Sequence, residues 1–212
     1  MYQQHLYDAL EILKIHHIHF FEAQEYASWT KQPTPEDSRA WSQILISVLT
    51  GIPGRARRKG SDLSDGSDVK SANAWFSIDR VRFNGVTKAG THSLLAGSID
   101  YLDHLPYLFF VLWDTNPSND AKRARVWVVR PRVDTLFRKV VEKWCRGAST
   151  GEIVSNNFQL HPPVNSNCDT FRNLCGNLNY PLMLCAEWNG KEYVPQYYEP
   201  NVLRNGYCDP NC

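Results

Sequence analysis

The chain of 212 residues is long enough to bury a hydrophobic core and has the length of one domain. Its apolar content of 42% and aromatic content of 12% are those of a folded protein, which excludes an intrinsically disordered chain. The sequence has no apolar run of the roughly 18 residues that a membrane-spanning helix needs, and its N-terminal segment does not have the composition of a secretory signal. We therefore expect a single domain, residues 1–212, in the cytoplasm and without a membrane partner.

The net charge of +1 does not by itself indicate a nucleic-acid partner, but the basic residues are unevenly distributed. Between residues 51 and 92 there are eight Lys or Arg and four Asp. Between residues 121 and 146 there are nine Lys or Arg and two acidic residues. Basic stretches on a nearly neutral chain suit a protein that holds a polyanion on one surface. Ordinary solvated surfaces have the same composition, so this alternative stays open.

The first elements in chain order are two helices. Apolar residues recur at helical spacing near the N-terminus, which predicts a helix up to about Trp29. The second helix has signals at both ends, because Thr34 can cap a helix that starts at Pro35 and Gly51 is suited to end it. Its apolar residues between 41 and 49 fall on one face, which predicts packing against a core.

Strands and one further helix follow. Stretches 105–115 and 123–131 are short, apolar and rich in β-branched and aromatic residues, so they predict strands. Residues 133–147 have helical periodicity, and residues 180–198 predict two strands around an Asn189-Gly190 turn. With two more strands before residue 105, the predicted order is α-α-β-β-β-β-α-β-β. This order indicates an α/β fold in which helices flank a mixed central β-sheet.

The two additional strands come from the run GSDLSDGSDVK, which contains three aspartates within seven residues. We interpret it as a hairpin in which one strand ends at Leu63, Asp65 shapes the turn and the next strand begins at Asp68. Asp68 and Lys70 would then share one face, and Asp62 would lie opposite Asp68 across the ladder. Paired carboxylates suit Mg²⁺, and a neighbouring lysine can orient the attacking water in phosphodiester hydrolysis. The alternative is an ordinary solvated turn.

Asp62 together with Asp68-Val69-Lys70 resembles the Asp…(Asp/Glu)-x-Lys signature of the PD-(D/E)xK nucleases. Ser61 replaces the proline of that signature, and the two acids are only six residues apart. Four longer stretches, which together extend over most of the chain, resemble the type II restriction endonucleases of the MamI kind. They are LTGIPGRARRKGSDLSDGSDVKSANAW, FNGVTKAGTH, GEIVSNNFQLHPP and FRNLCGNLNYPLMLCAEW.

The resemblance implies a PD-(D/E)xK restriction-endonuclease-like core in a bacterial or archaeal homodimer. It implies Mg²⁺-dependent cleavage of both strands of double-stranded DNA at an interrupted palindrome, with 5′-phosphate and 3′-hydroxyl ends. Asp62 and Asp68 would hold Mg²⁺, which Mn²⁺ could replace, and Lys70 would position the attacking water. The catalytic core would occupy residues 35–147, and residues 155–212 would read DNA or form the dimer.

Two groups of basic residues are candidates for contacts with DNA phosphates, which supply affinity without reading sequence. One group lies immediately before the aspartate run, and the other lies at the start of the strand predicted at 123–131. The candidates are Arg55, Arg57, Arg58 and Lys59 in the first group, and Lys122, Arg123 and Arg125, extended by Arg130 and Arg132, in the second.

Four of the six cysteines could form a structural zinc site, namely Cys168, Cys175, Cys208 and Cys212. Their spacing does not match paired-cysteine motifs, so zinc is not the expected cofactor. A zinc-stabilised, non-catalytic nucleic-acid-binding module is nevertheless one alternative function. A structure-specific repair nuclease with the same carboxylate chemistry is another.

The remaining candidates are histidines and glutamates near the N-terminus. His16, His17 and His19 are interpreted as residues of a helix surface or a subunit interface and not as metal ligands. A helical glutamate could complete the carboxylate site, and the sequence does not rank Glu22, Glu25 and Glu36. Because no glycine-rich phosphate loop precedes a helix, we expect no nucleotide cofactor.

Overall fold

The computed structural model describes residues 2–31, 37–55, 60–77, 80–84, 99–155, 157–204 and 207. Its helices are α1 (Tyr2–Thr30), α2 (Arg39–Thr50) and α3 (Thr135–Thr150), with short 3₁₀ helices at Asp100–His104 and Pro200–Leu203. Its strands are β1 (Asp68–Asn73), β2 (Leu108–Thr115), β3 (Lys122–Val129), β4 (Thr170–Asn173), β5 (Gly176–Asn179), β6 (Leu182–Trp188) and β7 (Tyr193–Tyr198). Among these described residues, no helix is long and apolar enough to cross a membrane.

Five strands form the main sheet in the order β1-β2-β3-β6-β7, and β4 pairs with β5 in a separate hairpin. β1 runs parallel to β2, with Asp68 opposite Leu108. The other neighbours in the main sheet are antiparallel. The predicted mixed α/β sheet is therefore confirmed, and β1 lies at its edge.

Two hydrophobic cores lie on opposite faces of the main sheet. One core packs between the sheet and helices α1 and α2, and it contains Val69, Phe109 and Val126. The other packs under α3 and the β4–β5 hairpin, and it contains Phe110 and Trp127. Because successive residues of a strand point to opposite faces, β2 is buried along nearly its whole length, as its sequence predicted.

The helix α2 begins later than predicted. It starts at Arg39, and the predicted cap and first helical residue, Thr34 and Pro35, lie outside the described residues. The backbone N–H of Arg39 donates to the Asp37 carboxylate at 2.9 Å, so this acid satisfies one of the free donors at the helix start. The predicted end is confirmed, because Gly51 follows the helix in the left-handed conformation with φ of 71°.

The predicted hairpin before β1 was wrong. Leu63 forms only an isolated bridge with Gly54, and β1 pairs with β2 instead of with the preceding segment. The turn itself is confirmed, since the Leu63 N–H donates to Ser67 O at 3.0 Å and the Asp65 carboxylate accepts from the Ser67 N–H at 2.9 Å. The sequence analysis also missed the β4–β5 hairpin, whose strands are only four residues long.

His16 and His17 are core residues, which corrects their interpretation as surface or interface residues. His16 is 2% exposed, and its ring centroid lies 4.1 Å from that of Trp113. His17 is 9% exposed and stacks on Trp188 at 4.1 Å. Burial lowers the pKa of both imidazoles to about 4, and nearby positive charge adds to the effect. His19 is exposed, as predicted.

The lowered pKa values of His16 and His17 predict that acid destabilises the fold. An unfolded imidazole titrates near 6.5, whereas the folded pKa is about 4 for both residues. As the pH falls from about 6.5 to about 4, the unfolded chain therefore binds protons that the folded chain does not. The free energy of unfolding should fall by up to about 1.4 kcal/mol per pH unit for each histidine.

Urea unfolding at a series of pH values measures this dependence. The substitution His17→Phe should remove one titrating group and make the loss of stability below about pH 6.5 less steep. The matched control is His19→Phe, which changes an exposed histidine of the same helix. An equally steep loss in the His17→Phe variant would contradict the assignment.

Candidate active site

The start of β1 carries two of the three residues proposed for catalysis. Val69 is 4% exposed and points into the core under α1 and α2. Its neighbours Asp68 and Lys70 therefore point to the opposite face of the edge strand. The Lys70 Nζ lies 2.6 Å from Asp68 Oδ2, so the predicted pairing on one face is present.

Asp62 reaches the same place from the loop before β1. The Asp68 N–H donates to Tyr107 O toward β2, so the next N–H along the strand, that of Val69, points away from β2. This outward N–H donates to Asp62 Oδ2 at 3.0 Å. The same N–H also donates to Asp68 Oδ1 at 3.0 Å, so both carboxylates meet at one donor. The two acids thus meet as expected, although a loop and not a paired strand brings Asp62 there.

The contact between the two carboxylates changes the proton affinity of Asp68. Its pKa is raised to about 6, first because burial disfavours the charged form and second because of the hydrogen bond with Asp62. The charge of Lys70 acts in the opposite direction. Two carboxylates beside one ammonium leave an excess of negative charge, and their hard oxygens suit a divalent cation such as Mg²⁺.

The helix α2 contributes a residue that the sequence analysis missed. Gln43 Nε2 donates to Asp62 Oδ1 at 2.7 Å, so both oxygens of this carboxylate are held. Glu22 and Glu25, which were candidates for a third carboxylate, are exposed on α1 and do not line the site. Gln43 lies four residues after Arg39, which also lines the site. Residues at this spacing share one face of a helix, and this pattern was the sequence signal that could have identified Gln43. Glu36 lies outside the described residues.

An open cleft of about 430 Å³ surrounds the carboxylates. Besides the residues already described, Arg82, Asn84 and Asn157 line it. Within the described part of the chain, no group of three or more His, Cys, Asp or Glu could hold a metal ion. A cation here would therefore depend on two carboxylates and on oxygens of water or substrate, which is how Mg²⁺ is commonly bound.

The first basic group is described only in part. Arg55 is exposed, and its Nη2 lies 3.4 Å from Ser64 O, so its contact with DNA stays a prediction. In the second basic group, Lys122 lies at the start of β3 and donates to Thr115 Oγ1 at 3.1 Å, and its contact with DNA also stays a prediction. The other residues of the first basic group, Arg57, Arg58 and Lys59, lie outside the described part of the chain.

Arg123 and Arg125 lie inside the protein, which corrects their predicted contact with DNA. Both bind Asp114, Arg123 through Nε at 2.7 Å and Arg125 through Nη2 at 2.8 Å. Other donors of the two arginines reach the loop before β4, including Ser166 O at 2.7 Å, Pro163 O at 2.6 Å and Asn167 Oδ1 at 2.8 Å, whereas the buried Arg125 Nε has no partner among the described residues. A guanidinium that is 3% exposed or less offers a phosphate little surface. These arginines instead attach the loop before β4 to the sheet.

This network predicts a large effect of the substitution Asp114→Asn. The change leaves two buried guanidinium groups without their counter-charge, so the free energy of unfolding should fall by about 3–5 kcal/mol. The matched control is Asp103→Asn, because the ion pair of Asp103 with Arg138 at 2.8 Å is half exposed. Its loss should cost about 0–1 kcal/mol. Equal losses in urea unfolding would contradict the structural role of Asp114.

The predicted zinc site is described only in part. Cys168 is exposed and Cys175 is half-buried, while Cys208 and Cys212 lie outside the described residues. The structural zinc site therefore stays an open alternative.

The fold and the cleft define an α/β protein with two contacting carboxylates and a lysine at one edge of a mixed sheet. A sequence model described as MamI restriction endonuclease matches residues 25–197 of the chain. The type II restriction enzyme MamI of Microbacterium ammoniaphilum is 33% identical over 183 residues, which cover 76% of this chain and 54% of that enzyme. The chain therefore belongs to the MamI restriction endonuclease family, and it spans about half the length of this relative. No solved structure matches it.

Proposed function

We propose that the protein is a type II site-specific deoxyribonuclease that hydrolyses phosphodiester bonds of double-stranded DNA. The observation that carries this proposal is the convergence of Asp62 and Asp68 on the Val69 N–H, beside Lys70, in an open cleft. Membership of the MamI family supports DNA as the substrate, since the similar enzyme is a type II restriction enzyme.

Asp62 and Asp68 would hold Mg²⁺, which Mn²⁺ could replace. When bound, such a cation lowers the pKa of a coordinated water and neutralises charge on the phosphate. The pKa of Asp68 is raised mainly by burial and further by Asp62, and a bound cation would favour its charged form. Gln43 and the Val69 N–H would keep Asp62 oriented, since each holds one of its oxygens.

Lys70 would position the attacking water. A charged ammonium has three donors and no acceptor, so Lys70 can bind the water through its oxygen or donate to a phosphate oxygen. Asp68 Oδ2 lies 2.6 Å from the ammonium and can accept a hydrogen bond from the same water. Together the two side chains fix the direction of a nucleophile that approaches the phosphorus.

The proposed core is that of the PD-(D/E)xK nucleases, with β1 as the strand that carries Asp68-Val69-Lys70. One such site per chain attacks one strand. Cleavage of both strands at an interrupted palindrome therefore suits a homodimer, whose two-fold symmetry matches that of the target. The products would have 5′-phosphate and 3′-hydroxyl ends.

The substitution Asp68→Asn tests the proposed function. It removes a ligand charge but keeps the size of the side chain, so cleavage should fall by about 1,000-fold or more while DNA binding persists. The matched control is Asp65→Asn, because Asp65 belongs to the same aspartate run but only bonds within the turn. The control should cut at a rate within a few-fold of the original protein.

Unmethylated phage DNA, incubated with Mg²⁺ or with EDTA, is the substrate for this comparison. Discrete fragments with Mg²⁺ alone are expected, whereas random nicks would favour a repair nuclease. Undiminished cutting by the Asp68→Asn variant would exclude the proposed site. Stoichiometric zinc without cleavage would favour the non-catalytic binding module.

The substitution Gln43→Leu tests the positioning of Asp62. Loss of its hydrogen bond should lower the cleavage rate by about 10–100-fold and raise the Mg²⁺ concentration that gives half-maximal cleavage. A merely structural role would lower the melting temperature without this change in Mg²⁺ requirement. Gln3→Leu, at an exposed position of α1, is the control substitution.

A further inference from the structure

Three exposed arginines, of which Arg82 also lines the carboxylate cleft, have been given no chemical role so far. Arg80, Arg82 and Arg172, here named the arginine cluster, surround His161. The pKa of His161 is lowered by burial and also by the positive charges of all three arginines. Their charges therefore act on one point of the surface, although they come from separate parts of the chain.

The backbone explains why these side chains converge. Phe83 and Leu160 exchange backbone hydrogen bonds at 2.8 and 3.1 Å, and both side chains are fully buried. His161 and Arg172 exchange a second pair at 2.8 and 2.9 Å. Because successive residues of extended segments point to opposite sides, Arg82, His161 and Arg172 face outward.

The arginine cluster is continuous with the carboxylate cleft. A second cleft of about 370 Å³ is lined by Arg80, His161 and Arg172, and it shares Arg82 and Asn157 with the carboxylate cleft. An extended ligand could therefore occupy both clefts at once. Its charge must be negative at the second cleft, since cations dominate the lining there.

The arginine cluster forms no ion pair with the described residues. Gln159 and Asn173 add neutral polar groups to the same cleft. Arginines with neighbouring amides are the side chains that typically contact phosphate and sugar oxygens of DNA.

We propose that the arginine cluster binds the backbone phosphates of duplex DNA next to the phosphodiester held in the carboxylate cleft. This inference rests on the proposed function, because it takes the carboxylate cleft as the place of hydrolysis. It replaces Arg123 and Arg125, which are buried, with arginines that a duplex can reach.

Binding of a labelled duplex of about 30 base pairs in EDTA, followed by fluorescence anisotropy at several salt concentrations, tests the proposal without cleavage. The test variant combines Arg80→Gln, Arg82→Gln and Arg172→Gln. It should bind at least about tenfold more weakly, with a salt slope that is lower by about two to three, since each phosphate contact contributes about 0.9.

The control variant combines Lys139→Gln, Arg146→Gln and Lys191→Gln, which removes the same charge from exposed residues that line neither cleft. Unchanged melting temperatures show that both variants fold, and Arg172→Gln alone should lower the slope by about one. Equal affinity and slope in the test and control variants would overturn the inference, as would a protein that does not bind the duplex. Failure of the proposed function is seen separately, as binding without Mg²⁺-dependent cleavage.

Discussion

The hydrogen bond from the Val69 N–H to the Asp62 carboxylate at the free edge of β1 determines the geometry of the whole site. The other edge of β1 is bonded to β2, so the register of Asp68 and Lys70 is fixed by the sheet. The outward N–H of Val69 then binds one carboxylate oxygen of Asp62, which lies in the preceding loop, and Gln43 on α2 binds the other oxygen. A helix, a loop and a strand thus meet at two carboxylates. The site depends on β1 being an edge strand, because a further strand would take this N–H.

The protein contains two groups of charged residues, one buried in the core and one in an open cleft at the edge of the sheet. In the core, Asp114 binds Arg123 and Arg125, which also donate to the backbone carbonyls of Ser166 and Pro163. At the edge of the sheet, Lys70 pairs with Asp68 beside a second carboxylate, Asp62, and the pKa of Asp68 is raised to about 6. Raised proton affinity in a cleft is typical of functional sites, whereas buried charges that pair with each other away from solvent are typical of structural networks. This contrast supports the assignment of chemistry to the edge and of stability to the core.

The sequence predicted the features that local patterns determine. The strand that starts at Asp68 and the buried central strands follow from side-chain alternation and composition. Features that depend on distant segments were not predictable. The partner of β1 lies about forty residues later in the chain, so the hairpin around Asp62 was the natural but wrong choice. The burial of His16 depends on Trp113, and the arginine cluster is assembled from two segments about ninety residues apart.

The central claim is that the two contacting carboxylates at the edge of β1 bind a divalent cation. Crystals soaked in Mn²⁺ and measured at the manganese absorption edge test it most directly, because anomalous scattering locates the ion without assuming any activity. We expect an anomalous peak at coordination distance, about 2.0–2.6 Å, from oxygens of both Asp62 and Asp68, and no peak in crystals of the Asp68→Asn variant. A peak elsewhere with none between these carboxylates, at a Mn²⁺ concentration that supports DNA cleavage, would contradict it.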